Sequence, residues 1–398
     1  MIPIPITGAG VVSAVGIGKR QSLPALRSGT TGIAPVRYLT TDDTDFLVGE
    51  VPLSNDAMRA SLGLPADAVV SRTSLMGILA LQEALEQAGL QRDDLRETVL
   101  ISGTTVGGMD CTERFYREFL SDRHDHDAYV AIHDCGASTD AIAAYFGGFS
   151  FATTLSTACS SAANAVILGA NLIRAGRASR VVVGGTESLS SYHLNGFNSL
   201  MIVDRAPCRP FDRTRAGLNL GEGAAFLVLE SEASAKARRA QPLTWLSGYG
   251  NACDAFHQTA SSENGEGPYR AMCRALELAG IGPEKVDYIN AHGTGTPNND
   301  ASESTAIRRV FGDSLPPVSS TKPFTGHTTS ASGSIEAVFC LLAMEHGFIP
   351  ANLNWKQPDE ACLRPVVSLQ EGVRLRHILC NSFGFGGNDS SLLFSQIG

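Results

Sequence analysis

The chain has 398 residues, 43% of them apolar and 18% charged, with 41 glycines and a formal net charge of −9. That length can bury a large core, enough for two domains or one duplicated unit, and the composition argues against disorder. An acidic balance with no basic run, and no interleaving of aromatic and basic residues, excludes the usual footprint of a nucleic-acid binder. Nine cysteines without any CxxC spacing argue against a disulfide framework and a thiolate zinc site, and point to a reducing cytoplasm. The start Met1-Ile2-Pro3-Ile4-Pro5-Ile6 lacks the features of a signal peptide, and no apolar run is long enough to span a bilayer.

Strand-like and helix-like patterns alternate along the chain. A helical pattern runs from Ser74 to Ala88 and ends at Gly89, where a C-terminal cap belongs. Thr98-Val99-Leu100-Ile101-Ser102 reads as a strand, followed by a turn at Gly107-Gly108. His124-Asp125-His126-Asp127 resembles a metal cluster, but its polar, irregular surroundings favour a solvated loop, and no metal is assigned. Cys159 lies in Thr157-Ala158-Cys159-Ser160-Ser161, between an apolar stretch and a helical pattern from about Ser160 to Ala175. A thiol there faces the positive end of a helix dipole, which favours the thiolate nucleophile; the alternative is a small buried residue.

Arg180 to Gly185 and Ala224 to Leu229 are further short apolar runs, of the kind that suits a sheet covered on both faces. A cluster of Ala, Lys and Arg from Glu230 to Pro242 marks the division of the chain. The pattern Glu266 to Ala279 is helical and ends at Gly280. Its close, Glu277-Leu278-Ala279-Gly280-Ile281, echoes Glu86-Gln87-Ala88-Gly89-Leu90, a faint sign of internal duplication. After the strand-like Val286 to Ile289 comes Asn290-Ala291-His292-Gly293-Thr294-Gly295-Thr296-Pro297. Ser320-Thr321-Lys322-Pro323-Phe324-Thr325-Gly326-His327 places a second histidine in a Gly- and Thr-containing loop. Loops at strand ends are where α/β proteins build sites. Asn381-Ser382-Phe383-Gly384-Phe385-Gly386-Gly387 precedes a last strand, Ser390 to Ser395.

The cysteine, the two histidines and the terminal glycine loop occur in the order found in the elongating β-ketoacyl-acyl-carrier-protein synthases, condensing enzymes of the thiolase superfamily, and the chain resembles that family over nearly its whole length. The resemblance is detailed from Thr157 onward and weaker before. It implies an α/β thiolase fold: two similar α/β halves, residues 1–235 with the nucleophile and 236–398 with both histidines, forming a layered α-β-α-β-α core. The implied reaction moves an acyl chain from a carrier protein to Cys159. A malonyl unit on a second carrier then loses carbon dioxide and attacks the thioester.

The same resemblance assigns roles. The backbone N–H groups of Cys159 and Phe385 form the oxyanion hole, and Phe385 gates the acyl pocket. His292 and His327 donate to the enolate oxygen, His327 as a neutral imidazole. Lys322 supports His327, with a surface lysine as the alternative. Glu336, a carboxylate in an apolar segment, needs a partner, for which Lys322 is the candidate. Thr294 and Thr296 bond the phosphopantetheine arm or cap their own loop. Val106 lines the acyl pocket, and Asn381 and Asn388 order the terminal loop. No cofactor is implied, because the substrates ride on the phosphopantetheine of acyl carrier protein. The partners implied are that acidic carrier and a second subunit, identical or a related ketosynthase-like chain. Arg205 is the first candidate for carrier contact and Arg72 the second; some arginines of the 205–215 segment must pair with Asp204 and Asp212.

The chain departs from the family between Asp110 and Phe149, in a short Asp204–Arg209 loop, at Pro323 and Phe324, and at Asp389. These departures admit polyene or polyketide assembly beside fatty-acid elongation. A degradative thiolase would carry a second cysteine within the terminal loop, where this chain has Phe383-Gly384-Phe385. A starter-type synthase would replace His327, and an inactive chain-length partner would lose Cys159. A noncatalytic acyl-binding scaffold would tolerate losing Cys159; an enzyme would not.

Overall fold

Five strands of the first half and five of the second pair with the same pattern. The computed structural model describes residues 2–121 and 124–397. In the first half, β1 (Ile4–Ser13), β2 (Val99–Gly103), β3 (Phe151–Leu155), β4 (Arg180–Glu187) and β5 (Gly223–Glu230) lie in the order β3-β2-β4-β5-β1. In the second, β6 (Thr244–Cys253), β7 (Tyr288–Asn290), β8 (Val318–Ser319), β9 (His377–Gly384) and β10 (Asn388–Ser395) lie in the order β8-β7-β9-β10-β6. The outer three strands of each set are parallel and the inner pairings antiparallel. A short antiparallel contact of β1 with β6, Ile4 opposite Leu246, joins the sets. The duplication hinted at by two short sequence echoes is therefore a property of the whole fold.

The echoes themselves close matching helices. α1 (Arg72–Ala88) packs on β1 and β5, while a second outer helix (Glu266–Ala279) packs on β6 and β10. Each ends on a left-handed glycine, Gly89 (φ 67°) and Gly280 (φ 70°), whose N–H caps the last turn. α1 begins two residues before the helical pattern of the sequence because the Ser71 hydroxyl accepts from Ser74 N. Between the two strand sets lie α2 (Ser161–Arg174) and α3 (Ser332–His346), the latter buried along nearly its whole length, as an inner-layer helix must be. Strands such as Arg180–Glu187, with Val181, Val182 and Val183 fully buried, read as continuous apolar runs because helices cover both faces.

The parallel strands aim their carboxyl ends at one region. Cys159 follows β3, Glu187 ends β4, His292 follows β7, Lys322 and His327 follow β8, and Phe385 follows β9. Segments that are distant in sequence are thus delivered to a single site by the topology.

Candidate active site

Cys159 sits at the start of α2, 4% exposed. The turn is held by Ser161 Oγ, which accepts from Thr157 N (2.9 Å), and Ala158 is forced to φ 52°. A non-glycine residue in the left-handed region costs about 1–2 kcal/mol, so the surrounding structure must over-determine this turn. His327 Nε2 is 3.1 Å from Cys159 Sγ, and the His292 and His327 rings meet edge-on, centroids 5.2 Å apart. The sulfur and a ring nitrogen of each histidine all lie within 4.8 Å of one another.

Burial holds both imidazoles well below their ordinary value, and the neighbouring Lys322 charge adds to the effect, so both rings are neutral at pH 7. His327 Nδ1 is buried without a hydrogen-bond partner among the described residues. A bare lone pair is cheaper to bury than an orphaned N–H, so the proton belongs on Nε2, facing the sulfur. The His327 backbone is pinned from both directions, its N donating to Asn219 O and its O accepting from Gly221 N.

The thiolate expected from the helix dipole is not the resting state. Burial pushes the Cys159 thiol up to about 11; Lys322 and the N–H groups of Phe385 and of Cys159 itself oppose this, and Glu187 adds to it. Desolvation therefore outweighs the Lys322 charge and the two N–H groups that favour the thiolate. Those two N–H groups nevertheless lie close enough to the sulfur to favour its anion.

Lys322 is 1% exposed, which rules out the surface reading, and its Nζ donates to Glu336 Oε1 (2.6 Å). Burial raises Glu336 to about 7 against the pull of Lys322. Removing one partner of a buried pair costs about 3–5 kcal/mol. Lys322→Ala should therefore destabilise the fold by about that amount. The loss should be greater at pH 8 than at pH 6, because Glu336 escapes by protonation only on the acid side. Thermal unfolding at the two pH values measures this; an equal loss at both would contradict it.

Phe385 heads a tight loop in which Gly386 and Gly387 have φ of 78° and 72°. A Cβ on Gly387 would meet Asp254 Oδ1 at 2.1 Å, so this position also needs glycine for space. The Phe385 ring stacks on Phe197, centroids 5.6 Å apart. Asn388 Oδ1 accepts from Ser160, Asn164 and Asn251, tying the loop to the nucleophile turn, and Asn381 donates to Glu303. Thr294 and Thr296 bond each other (2.8 Å), and Thr296 N donates to Thr294 Oγ1, so the local-capping role is present. Val106 is buried, its N donating to Glu187.

Residues 1–235 match the family model for the β-ketoacyl synthase N-terminal domain and residues 243–356 that for the C-terminal domain. The chain belongs to the β-ketoacyl synthase family. It is similar to nodulation protein E of Rhizobium meliloti (strain 1021), 34% identical over 99% of both chains. It is 30% identical to 3-oxoacyl-[acyl-carrier-protein] synthase 2 of Staphylococcus aureus (strain N315), over 99% of this chain and 98% of that one. The solved ishigamide ketosynthase/chain length factor superposes with a TM-score of 0.92 at 33% identity, covering 100% of this chain and 99% of that one. The thiolase-type fold and the condensing-enzyme class follow.

In this β-ketoacyl synthase two acids beyond those read from the sequence organise the site. Glu303 accepts from His292 N and Gly293 N (2.9 and 2.8 Å) and fixes the first histidine loop. Glu187 gathers Thr104, Thr105, Val106 and Thr329. Neither stands in a motif; each is a lone acid in a strand or helix, and only its burial identifies it. One candidate is corrected. Arg72 is 6% exposed and clamped to Glu222 (2.6 Å) and to the Leu53 and Val51 carbonyls, so its guanidinium cannot dock a carrier. Arg205 is at the surface, forked onto Asp43 and lying over Phe46. Of the other expected pairs, Arg209 meets Asp204 (2.9 Å), whereas Asp212 accepts from the backbone of Lys356 and Gln357.

The His124–Asp127 segment splits into two pairs, His124 with Asp127 and His126 with Glu118. Among the described residues only Cys159, His292 and His327 have metal-ligand spacing.

Asp389 lies just beyond the Phe385 loop, 1% exposed, with Oδ2 unpartnered among the described residues. Burial, with Asp254 and Glu303 nearby, pushes it up to about 8. The folded chain then holds a proton that an unfolded aspartate, with a pKa of about 3.9, has released, so stability falls as pH rises between about 4 and 8. Asp389→Asn should remove that slope, gaining on the order of a few kcal/mol at pH 8 and little at pH 4. Melting curves at both pH values would show it; a variant tracking the wild type throughout would not fit.

Proposed function

We propose that the two half-reactions divide between the two ends of this constellation. The observation that carries the reading is Cys159 Sγ lying 3.1 Å from His327 Nε2, with the His292 ring beside it and the N–H groups of Phe385 and Cys159 facing the sulfur. Cys159 attacks the acyl-carrier thioester. A new C–S bond forms, the bond to phosphopantetheine breaks, and the thiol proton ends on the departing sulfur. The malonyl unit then loses carbon dioxide; the electron pair of the broken C–C bond becomes an enolate, whose oxygen takes hydrogen bonds from His292 and His327. The carbanion attacks the Cys159 thioester, the oxyanion rests on the two backbone N–H groups, and collapse gives the 3-oxoacyl carrier and releases the Cys159 thiolate, which takes a proton from water. Removing one such donor typically costs about 10²–10³ in rate.

No metal takes part in this scheme: the Lys322 charge that depresses both imidazoles also opposes a cation between them. Acyl carrier protein is the partner, in line with the name of the S. aureus relative, and Arg205, at the surface and paired with Asp43, would exchange that pairing for an acid of the carrier. The second subunit is a copy of this chain or a chain-length-factor-like relative. Likeness over the whole chain to the ishigamide ketosynthase/chain length factor favours the heterodimer, and with it specialised polyene or polyketide assembly over fatty-acid elongation. No helix among the described residues is long and apolar enough to cross a membrane, in keeping with a cytoplasmic enzyme.

The test is purified protein with acylated and malonylated carrier, after exhaustive chelation. Carbon dioxide release with a 3-oxoacyl carrier as product supports the scheme. Acyl binding without condensation would favour a scaffold.

A further inference from the structure

A helix beside the gate carries a polar ring that the scheme above leaves unused. α4 (Ser191–Ser199) presents two faces. Tyr192, Asn195, Gly196 and Ser199 line a cavity of about 1040 Å³. His193 and Phe197, one turn apart on another face, turn toward the gate: Phe197 stacks on Phe385, and the His193 ring meets Phe197 edge-on at 4.9 Å. The His193 ring is thus two aromatic contacts from Phe385, whose neighbour Gly384 packs against the nucleophile turn: a Cβ there would lie 3.3 Å from Cys159 N.

This ring has no hydrogen-bond partner among the described residues. Its main-chain N donates to Ser190 Oγ, but Nδ1 is buried and unpartnered, and Nε2 makes no hydrogen bond among those residues. Burial holds the imidazole below its ordinary value against the opposing pull of Glu187, so it is neutral at pH 7. As at His327, the buried bare nitrogen takes the lone pair and Nε2 takes the proton. Glu187 cannot serve as the acceptor, because Thr104, Thr105, Val106 and Thr329 occupy it. The result is an N–H donor beside the gate that no protein group among the described residues satisfies and that only solvent reaches. Against a saturated hydrocarbon chain such a donor is desolvated without compensation; against an oxygen it is satisfied.

We propose that His193 selects the acyl chain: it donates from Nε2 to a hydroxyl or keto oxygen on one of the first carbons beyond the thioester, so that Cys159 loads oxygenated chains in preference to saturated ones. The inference rests on the condensing role of Cys159 and names the substrate class for that site.

Competition between two carrier-bound chains of equal length, one saturated and one bearing a hydroxyl that is moved carbon by carbon, tests it. The readout is the mass of the Cys159 peptide after a single turnover. At the best hydroxyl position the wild type should favour the oxygenated chain by about 3- to 10-fold, the range of one net hydrogen bond. His193→Phe should abolish or reverse that preference while still loading the saturated chain, and His193→Gln, which keeps a donor, should retain part of it. His193→Leu serves if the Phe variant fails to fold. Equal loading by the wild type at every hydroxyl position, or a preference that survives both apolar substitutions, would overturn the proposal and leave the condensing role intact. Failure of the wild type to load either chain would overturn both.

Discussion

Cys159→Ala should abolish acyl transfer from carrier to enzyme, by at least about 10⁴-fold, the scale on which loss of a nucleophile is felt in covalent catalysis. The fold should survive, because an alanine at the head of α2 keeps the turn: its supports are Ser161 Oγ on Thr157 N and Ser160 on Asn388, not the sulfur. The N–H of residue 159, proposed for the oxyanion hole, also remains, since it belongs to the backbone. The variant therefore isolates the thiol. Mass spectrometry of the intact protein after incubation with acylated carrier reads the result; acylation of the Ala variant at the wild-type rate would place the nucleophile elsewhere, and eight other cysteines are available to be it.

The second large effect separates the two half-reactions. His327→Ala should still form the acyl-enzyme and then stall, with condensation reduced by about 10²–10³-fold, the worth of one donor aimed at a developing oxyanion. The geometry supports this division. The backbone of residue 327 is held by Asn219 and Gly221 whatever its side chain, so the Cys159 turn and the Phe385 loop keep their places. A buried ring is lost, leaving a cavity that lowers stability, so the comparison is made below the melting temperature of the variant. Acyl-enzyme accumulates in this variant and is detected on the Cys159 peptide, while carbon dioxide release falls. A variant that failed at acylation first would assign His327 to activating the thiol instead.

How much of this is legible in the sequence depends on the kind of signal. Cys159, His292 and His327 are legible because each sits in a compact motif at a strand end, where the residues around it also carry information. In the Lys322–Glu336 pair, an acid in an apolar helix needs a partner, and a lysine stands near it in sequence. Glu187 and Glu303 are not legible, because a single acid in a β-strand or on a helix face looks the same whether it faces solvent or gathers several donors. Arg72 misleads for the same reason: its partner, Glu222, lies 150 residues away, and the pairing exists only through the sheet. The duplication surfaces as two matching helix ends, yet the identical strand orders of the two halves are a matter of pairing that sequence does not display. The resting state of the thiol differs from the expectation because the helix dipole is visible from the pattern, whereas the depth of burial that keeps the thiol protonated is not. The strain at Ala158 leaves no trace in composition at all.

One sulfur holds the acyl chain in this scheme while two imidazoles hold the enolate. The most direct measurement follows the Cys159 peptide by mass through both steps, in the wild type and in the His292→Ala/His327→Ala double variant. In the wild type the acyl mass should appear with acylated carrier and vanish on adding malonyl carrier, with release of carbon dioxide; in the double variant it should appear and persist. Acyl mass on any other residue, or its loss from the double variant at the wild-type rate, would contradict the account.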